Sequence, residues 1–193
     1  MIVFVSGGAR SGKSAVAEAA VLEAAGPATP YYVATARVSD AEMAARVARH
    51  QRSRGEGWVT LEAPLSLASA IARVPAGGAA LIDCLTLWAS QVLYPQKDNV
   101  EHPTPEQALA ELAECLCAAR RRGITLVVVS NDLNEALLPD SPEVWRYVDF
   151  LQRAHRLVAA RADSVVEVVA GRRIEWKPAQ RALKNAVSGD AKR

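Results

Sequence analysis

A glycine-rich segment near the N-terminus could hold the phosphates of a nucleotide. Eight consecutive residues match the pattern G-x-x-x-x-G-K-[ST]: Gly7, Gly8, Ala9, Arg10, Ser11, Gly12, Lys13 and Ser14. Glycines let the backbone curl so that successive N–H groups face a phosphate, and the following helix adds the positive end of its dipole. In such a loop Lys13 reaches the β- and γ-phosphates and the Ser14 hydroxyl binds Mg²⁺. The segment predicts nucleotide binding, with an incidental glycine-rich turn as the alternative.

One aspartate is placed to complete this site. Asp83 follows the apolar run 79–82, so it ends a predicted buried strand. A buried carboxylate costs free energy unless a cation or a hydrogen-bond donor compensates it. Because a phosphate loop needs an acidic group near its metal ion, we predict that Asp83 binds Mg²⁺ together with Ser14. The alternative is that Asp83 caps a helix beginning near Leu85.

A histidine between two arginines offers a second kind of chemistry. Four side chains recur at every fourth position of a helix predicted over residues 39–54: Glu42, Arg46, His50 and Arg54. Taken alone, this stripe is most simply a solvated face with a Glu42–Arg46 ion pair. An imidazole between guanidinium groups is also suited to attack phosphorus, because the arginines keep it neutral and stabilise charge on the phosphoryl oxygens.

Alternating strand and helix patterns must position these residues. Short runs rich in Val and Ile are typical of buried strands and cover residues 2–6, 31–35, 79–84, 124–130 and 164–170, with 58–61 as a further short candidate. Helical periodicity covers residues 13–25, 39–54, 65–72, 104–122 and 142–162. This alternation predicts an α/β fold: a P-loop NTPase with a mostly parallel sheet and helices on both faces.

The size and pattern of the chain predict a single domain. Its 193 residues fall in the usual range for one domain, and we expect one P-loop nucleotide-binding domain over residues 1–178. Residues 94–105 contain three prolines and are predicted to form a surface loop. The pattern fades afterwards, so residues 179–193 are expected to be a basic, partly disordered C-terminal tail.

Composition excludes several classes of function. The formal net charge is +2, and seven basic but only two acidic residues lie after position 171, so the rest of the chain is mildly acidic. This distribution argues against nucleic-acid binding and against membrane insertion. Three cysteines without a Cys-x-x-Cys pair argue against a disulfide framework or a zinc site, and we expect buried thiols at Cys84, Cys115 and Cys117. With no signal-peptide pattern, we expect a cytoplasmic protein.

Several blocks of residues, in order, resemble one family. The phosphate loop is followed by Tyr32-Val33-Ala34-Thr35, by a spaced set around His50, and by a block over residues 81–88. The spaced set consists of Asp40, Glu42, Met43, Arg46, Val47, His50, Arg54, Trp58, Thr60 and Glu62. Together these blocks resemble the bifunctional adenosylcobinamide kinase/adenosylcobinamide-phosphate guanylyltransferases of cobalamin assembly. The similarity is dense over the first half of the chain.

The resemblance implies a fold, two reactions and site residues. It implies a RecA-like sheet assembled as a homotrimer, with a corrinoid and ATP or GTP as substrates and Mg²⁺ as cofactor. The γ-phosphate passes to the aminopropanol hydroxyl of adenosylcobinamide, and GMP from GTP then passes to the phosphorylated product. The guanylylated histidine falls on His50, with Lys13 and Asp83 as the other catalytic residues. Arg46, Arg54 and Glu62 join the phosphate loop and Asp83 as nucleotide-binding residues.

The second half departs from the family's usual blocks. Asn131-Asp132-Leu133-Asn134 stands where the family usually has Asn-Glu-Val-Gly, and Gln152-Arg153-Ala154-His155-Arg156 replaces a Gly-x-x-Asn-Gln block. Neither His102 nor His155 has neighbours comparable to those of His50. Two other hypotheses remain at this point: a small-molecule kinase that uses only the phosphate loop, and a nucleotide-sensing interaction module without group transfer.

Overall fold

A seven-stranded sheet forms the centre of the structure. The computed structural model describes residues 1–37, 57–95, 102–133 and 141–179. The strands within them are β1 (Ile2–Gly7), β2 (Tyr31–Ala34), β3 (Val59–Glu62), β4 (Ala79–Asp83), β5 (Thr125–Asn131), β6 (Ser164–Val169) and β7 (Arg172–Lys177). Their order across the sheet is β3-β2-β4-β5-β1-β6-β7. All neighbouring strands pair in parallel except β7, which runs antiparallel to β6.

Helices cover both faces of this sheet. The described residues include α1 (Lys13–Ala25), α2 (Leu67–Ala72), α3 (Leu85–Leu93), α4 (Pro105–Arg121) and α5 (Pro142–Arg161). The first helix packs its Ala17 and Val21 against one face, whereas α2 to α5 pack against the other, around the buried Trp88. Apolar side chains on both faces of the central strands explain their continuous runs of Val, Ile and Leu. The predicted α/β P-loop class is confirmed, and β5 separates β1 from β4, consistent with a RecA-like order.

Most boundaries agree with the sequence patterns to within two residues. The fourth helix begins with a capping box, in which the Thr104 hydroxyl accepts from the Gln107 backbone N–H and the Gln107 side chain accepts from that of Thr104. The helix predicted over residues 39–54 lies outside the described residues, and so does the tail from residue 180. These two predictions therefore stay predictions.

Two elements were missing from the predicted set. Residues 85–93 form α3, which the patterns suggested only as a possible start near Leu85. Residues 172–177 form β7, in a region for which the sequence analysis predicts no strand. All six side chains of β7 are exposed, and the strand is marked only by a short alternation of Ile174 and Trp176 with charged residues.

Candidate active site

The phosphate loop lies where the sequence predicts it, between β1 and α1. Gly7 has φ +152°, and a Cβ there would lie 2.4 Å from the carbonyl oxygen of Val168 on β6. Gly12 has φ +93° and precedes α1, whose first turn receives no side-chain cap. Both positions therefore require glycine, and the uncapped N–H groups of α1 are available to an anion.

The lysine of the loop is folded back over it. Lys13 is 8% exposed, and its Nζ donates a hydrogen bond of 3.0 Å to the carbonyl oxygen of Gly8. The Oγ of Ser11 is buried and has no hydrogen-bond partner among the residues that the structure describes. A buried ammonium with a neutral acceptor, beside an unsatisfied hydroxyl, gains free energy when an anion arrives to accept from both. The loop is thus built for a phosphate.

Asp83 ends β4, where two residues hold it in place: Tyr32 in β2 and Thr35, which directly follows β2. The Tyr32 hydroxyl donates to Asp83 Oδ2 at 2.5 Å. Thr35 is fully buried, its Oγ1 accepts from the Cys84 N–H at 2.8 Å, and it lies 2.9 Å from the carbonyl oxygens of Asp83 and Cys84. The residue preceding α3 is Cys84, without a side-chain cap, so the alternative that Asp83 caps this helix is wrong.

The register of the sheet sets the separation between Asp83 and the loop. Strand β5 lies between β1 and β4, which at about 4.8 Å per strand places Asp83 about 10 Å to one side of the end of β1. On β5 the paired positions are Ser6 with Ser130 and Gly7 with Asn131, and the Asp132 N–H donates to the carbonyl oxygen of Gly7. The end of β5 therefore borders the phosphate loop directly.

A histidine that the sequence patterns set aside lies beneath the loop. His155 on α5 has its Nε2 2.7 Å from the Oγ of Ser130, which is fully buried, and its ring stacks at a tilt on Phe4 with centroids 5.3 Å apart. Burial lowers the pKa of His155 to about 4, against which the carboxylate of Asp132 acts weakly. The imidazole is therefore neutral at pH 7. Its partner lies 25 residues earlier, so no local pattern could have revealed the pair.

Glu62 lies in a different region from the phosphate loop. It ends β3 and lines a cavity of about 600 Å³ together with Arg37, Ala63, Pro64, Leu65, Ser66, His102, Pro103, Gln107, Ala108 and Glu111. The neighbouring β2 is three strands from β1, about 14 Å across the sheet. The predicted nucleotide-binding residues are thus divided between the loop and this cavity, while His50, Arg46 and Arg54 lie outside the described residues.

One half-buried carboxyl group lines this cavity and has one oxygen shielded from solvent. Glu111 Oε1 accepts from the Ala68 N–H at 2.9 Å, and Oε2 is buried without a hydrogen-bond partner in the described part of the chain. Burial raises the pKa of Glu111, although hydrogen bonds from the backbone of α2 oppose the shift. No sequence pattern had pointed to Glu111.

Two of the three cysteines are buried as the composition predicts. All three are free, and Cys84 and Cys115 are buried while Cys117 is half-buried. Burial raises the pKa of the Cys84 and Cys115 thiols, so both stay protonated near neutral pH. Cys117 is less buried than expected.

The donor set at the loop suits a magnesium ion that arrives with a nucleotide. Within the described ranges, no three His, Cys, Asp or Glu side chains form a cluster able to hold a metal by themselves. Mg²⁺ prefers oxygen ligands and is usually held by one or two protein groups together with substrate phosphates. The hydroxyl of Ser14 and the carboxylate of Asp83 fit that role, which remains a prediction.

Comparison with known sequences decides the family. The profile described as CobU, cobinamide kinase / cobinamide phosphate guanyltransferase, matches residues 3–176. The chain belongs to the CobU family. Membership makes it a transferase, and the resemblance inferred from the motifs is confirmed.

Two relatives support the assignment over most of the chain. The bifunctional adenosylcobalamin biosynthesis protein CobP of Pseudomonas aeruginosa is 38% identical over 171 residues, 86% of this chain and 92% of that protein. The bifunctional adenosylcobalamin biosynthesis protein CobU of Escherichia coli is 32% identical over 178 residues, 89% of this chain and 97% of that protein. The similarity to the family therefore includes the C-terminal half of the chain, where the sequence departs from the family's usual motifs.

Among solved structures, a KaiC-like protein of Pyrococcus horikoshii superposes on this chain. The TM-score is 0.49 with 13% sequence identity, and the match covers 86% of this chain and 69% of that one. Among the described helices of this CobU-family chain, none is both long and apolar enough to cross a membrane.

Proposed function

We propose that this chain carries out both reactions of its family on a corrinoid. The first transfers the γ-phosphate of ATP or GTP to the aminopropanol hydroxyl of adenosylcobinamide. The second transfers GMP from GTP to adenosylcobinamide phosphate and gives adenosylcobinamide-GDP. The observation that carries the proposal is the phosphate loop, in which Lys13 is buried against the loop and the first turn of α1 is uncapped.

In the phosphoryl transfer, the loop holds the triphosphate by its backbone N–H groups and by Lys13. When the phosphates bind, Nζ of Lys13 exchanges the carbonyl oxygen of Gly8 for oxygens of the β- and γ-phosphates. Magnesium, held by Ser14 and Asp83, would neutralise charge on the same oxygens. The hydrogen bond from the Tyr32 hydroxyl holds the Asp83 carboxylate in place at the end of β4. The carboxylate can complete the metal site or orient the acceptor hydroxyl.

In the guanylyl transfer, the nucleophile is the imidazole of His50. A ring nitrogen attacks the α-phosphorus of GTP, a P–N bond forms, and the P–O bond to the β-phosphate breaks so that pyrophosphate leaves. A phosphate oxygen of adenosylcobinamide phosphate then attacks the same phosphorus, and the P–N bond breaks to return the free imidazole. Arg46 and Arg54 stabilise the charge on the phosphoryl oxygens. Each displacement has a good leaving group, which is the advantage of the covalent step.

Mass spectrometry after incubation with GTP and Mg²⁺ tests the guanylyl transfer. The protein should gain the mass of one guanylyl group, which is GMP less one water, and peptide mapping should place the adduct on His50. The adduct should be labile to acid and stable to base, as expected for a phosphoramidate, and His50→Ala should not form it. A wild-type chain that binds GTP yet never gains the adduct would remove this half of the proposal.

The kinase half is tested separately. Labelled γ-phosphate from ATP or GTP should appear on adenosylcobinamide with wild-type protein and with His50→Ala, because the first reaction does not use the imidazole. A chain that forms the guanylyl adduct but transfers no label to the hydroxyl would be a guanylyltransferase without kinase activity.

The proposed domain and assembly follow the same reasoning. We propose that residues 1–178 act as a single nucleotide-binding domain and that the chain forms a homotrimer, as the resemblance implies. Sedimentation velocity of the full chain tests the assembly, and a species with the mass of one chain would exclude the trimer.

A further inference from the structure

The β6–β7 hairpin contacts the phosphate loop from the side opposite Asp83. The N–H of Gly171, in the turn of the hairpin, donates a 2.9 Å hydrogen bond to the carbonyl oxygen of Ser11. A Cβ on Gly12 would lie 3.7 Å from the Cα of Gly171, and the Val168 carbonyl oxygen already crowds Gly7. Three separate contacts therefore fix the turn against the loop.

Two uncompensated cations follow this turn. Arg172 and Arg173 are exposed, and among the described residues neither side chain makes a hydrogen bond or an ion pair. Arg172 pairs with Val169 and Arg173 with Val168, so their side chains leave opposite faces of the hairpin. Ala170, φ +48°, and Gly171, φ +78°, form a tight two-residue turn between the strands. Arg172 and Arg173 thus place two guanidinium groups at the rim of the phosphate loop.

The position of Asp83 gives the direction in which a bound nucleotide must run, and this step rests on the function proposed above. Ser14 and Asp83 would hold a magnesium ion that neutralises phosphate charge, so the β- and γ-phosphates would lie toward Asp83, on the β5–β4 side of β1. The α-phosphate and the nucleoside must then extend to the other side of β1. That side is occupied by β6, β7 and the turn that joins them.

We infer that the β6–β7 turn, with Arg172 and Arg173, forms the binding site for the nucleoside monophosphate part of the nucleotide held by the phosphate loop. A guanidinium group can donate two parallel hydrogen bonds to the oxygens of the α-phosphate, and its flat face can stack on a purine ring. The two side chains leave opposite faces of one hairpin, so one can reach the phosphate while the other borders the base. The contact between Gly171 and Ser11 keeps both at a constant distance from the loop.

Equilibrium binding of the full chain to two probes tests this inference. The probes are GTP or ATP with Mg²⁺, and inorganic tripolyphosphate with Mg²⁺, each titrated at near-physiological salt. Tripolyphosphate carries at least as much negative charge but has neither ribose nor base. The double variant Arg172→Ala/Arg173→Ala should lower affinity for the nucleoside triphosphates about tenfold or more. Affinity for tripolyphosphate should fall by a clearly smaller factor, because that probe shares the contact at the α-phosphate position but has no base to stack.

Matched variants give the result its meaning. Arg73→Ala removes one exposed arginine that follows α2, before β4 begins, and should change neither affinity. The double lysine variant Arg172→Lys/Arg173→Lys keeps the charge but loses the planar group, and should fall between the wild type and the alanine variant. Unchanged thermal unfolding would show that the hairpin still folds.

Two results would overturn the inference. One is equal loss of affinity for both probes, because the arginines would then act only through their general field. The other is unchanged affinity for the nucleotides. Lys13→Ala reports on the proposed function instead, since it should lower the affinity for both probes. If it lowers neither affinity, the phosphate-loop role fails. The effect of the arginine variants is still measured by the difference between the two probes.

Discussion

The phosphate loop and the cavity beside β2 and β3 are built in opposite ways. The loop consists of eight consecutive residues between a buried strand and a helix, and its lysine donates a hydrogen bond to the carbonyl oxygen of Gly8 within the same segment. The cavity takes its walls from residues 37, 62–66 and 102–111, which meet only through the tertiary fold. A contiguous site can be found from spacing alone, whereas an assembled one needs the sheet order first.

The two regions also differ in what they leave unsatisfied. In the loop, a cation and a serine hydroxyl await an acceptor. In the cavity, the buried Oε2 of Glu111 has no donor, and burial raises the pKa of its carboxyl group. The loop is therefore prepared for an anion, and the wall of the cavity formed by Glu111 disfavours one.

The largest expected effect comes from removing the cation of the loop. Lys13→Ala should reduce phosphoryl transfer at least about a hundredfold, because the donor to the β- and γ-phosphate oxygens is lost in a water-poor site. Steady-state kinetics with labelled γ-phosphate measure this, and Arg73→Ala should retain wild-type rates. A Lys13→Ala protein with near-normal turnover would mean that phosphoryl transfer takes place outside the loop. The loop would then no longer differ from the cavity in being the site that binds phosphate.

The next effect tests whether the loop is also a structural joint. In Gly7→Ala the new methyl group would meet the carbonyl oxygen of Val168 at 2.4 Å, in a backbone conformation that alanine rarely adopts. We expect a loss of about 3 kcal/mol in the free energy of unfolding. Gly77→Ala is the control, since its φ of +74° is also unfavourable but no atom lies within 4 Å of the added Cβ.

Chemical denaturation of the two variants measures the difference between them. Gly77→Ala should cost about 1 kcal/mol, which isolates the backbone strain from the clash. If the two glycine variants are equally stable, the close approach of β6 to the loop does not matter energetically.

His155 extends the comparison to the layer beneath the loop. Burial lowers the pKa of His155 to about 4, from an ordinary value of 6.5. Between these two pH values the imidazole is protonated in the unfolded chain and neutral in the folded chain. Stability supplied by the neutral ring is present above pH 6.5 and is lost as the pH falls toward 4, by about 3 kcal/mol at most. His155→Gln keeps a partner for Ser130 and should lose less stability over this window.

Urea unfolding at several pH values between 4 and 8 measures the slope for both proteins. His155→Phe, which leaves the buried Ser130 hydroxyl without its partner, should be less stable than His155→Gln throughout. Parallel pH profiles for wild type and His155→Gln would mean that the ring is not held neutral by the fold.

The contrast between contiguous and assembled features also explains which elements could be predicted. The loop, Asp83 and the core strands were predictable because each depends on a local motif or an apolar run. The strand Arg172–Lys177 is less evident, because it buries no apolar face at the edge of the sheet and is marked only by the short alternation of Ile174 and Trp176 with charged residues. The partner of His155 and the burial of Glu111 depend on residues from other elements, so neither has a signature in the sequence around it.

The smallest effect concerns the cavity and has the opposite sign to that of His155. The pKa of Glu111 is raised above 4.5 by burial, so the folded chain holds its proton more tightly than the unfolded chain does. Stability is therefore fully present below pH 4.5 and falls as the pH rises through the raised pKa. Glu111→Gln keeps an oxygen to accept from the Ala68 N–H but cannot ionise, so it should lack this fall and be at least as stable as wild type at pH 7. Urea unfolding across the same pH range tests this prediction, with Glu23→Gln at an exposed position as control. If Glu111→Gln is less stable than wild type at pH 7, the charged carboxylate has a partner in the cavity. That wall would then resemble the loop, because both would bind a group of opposite charge.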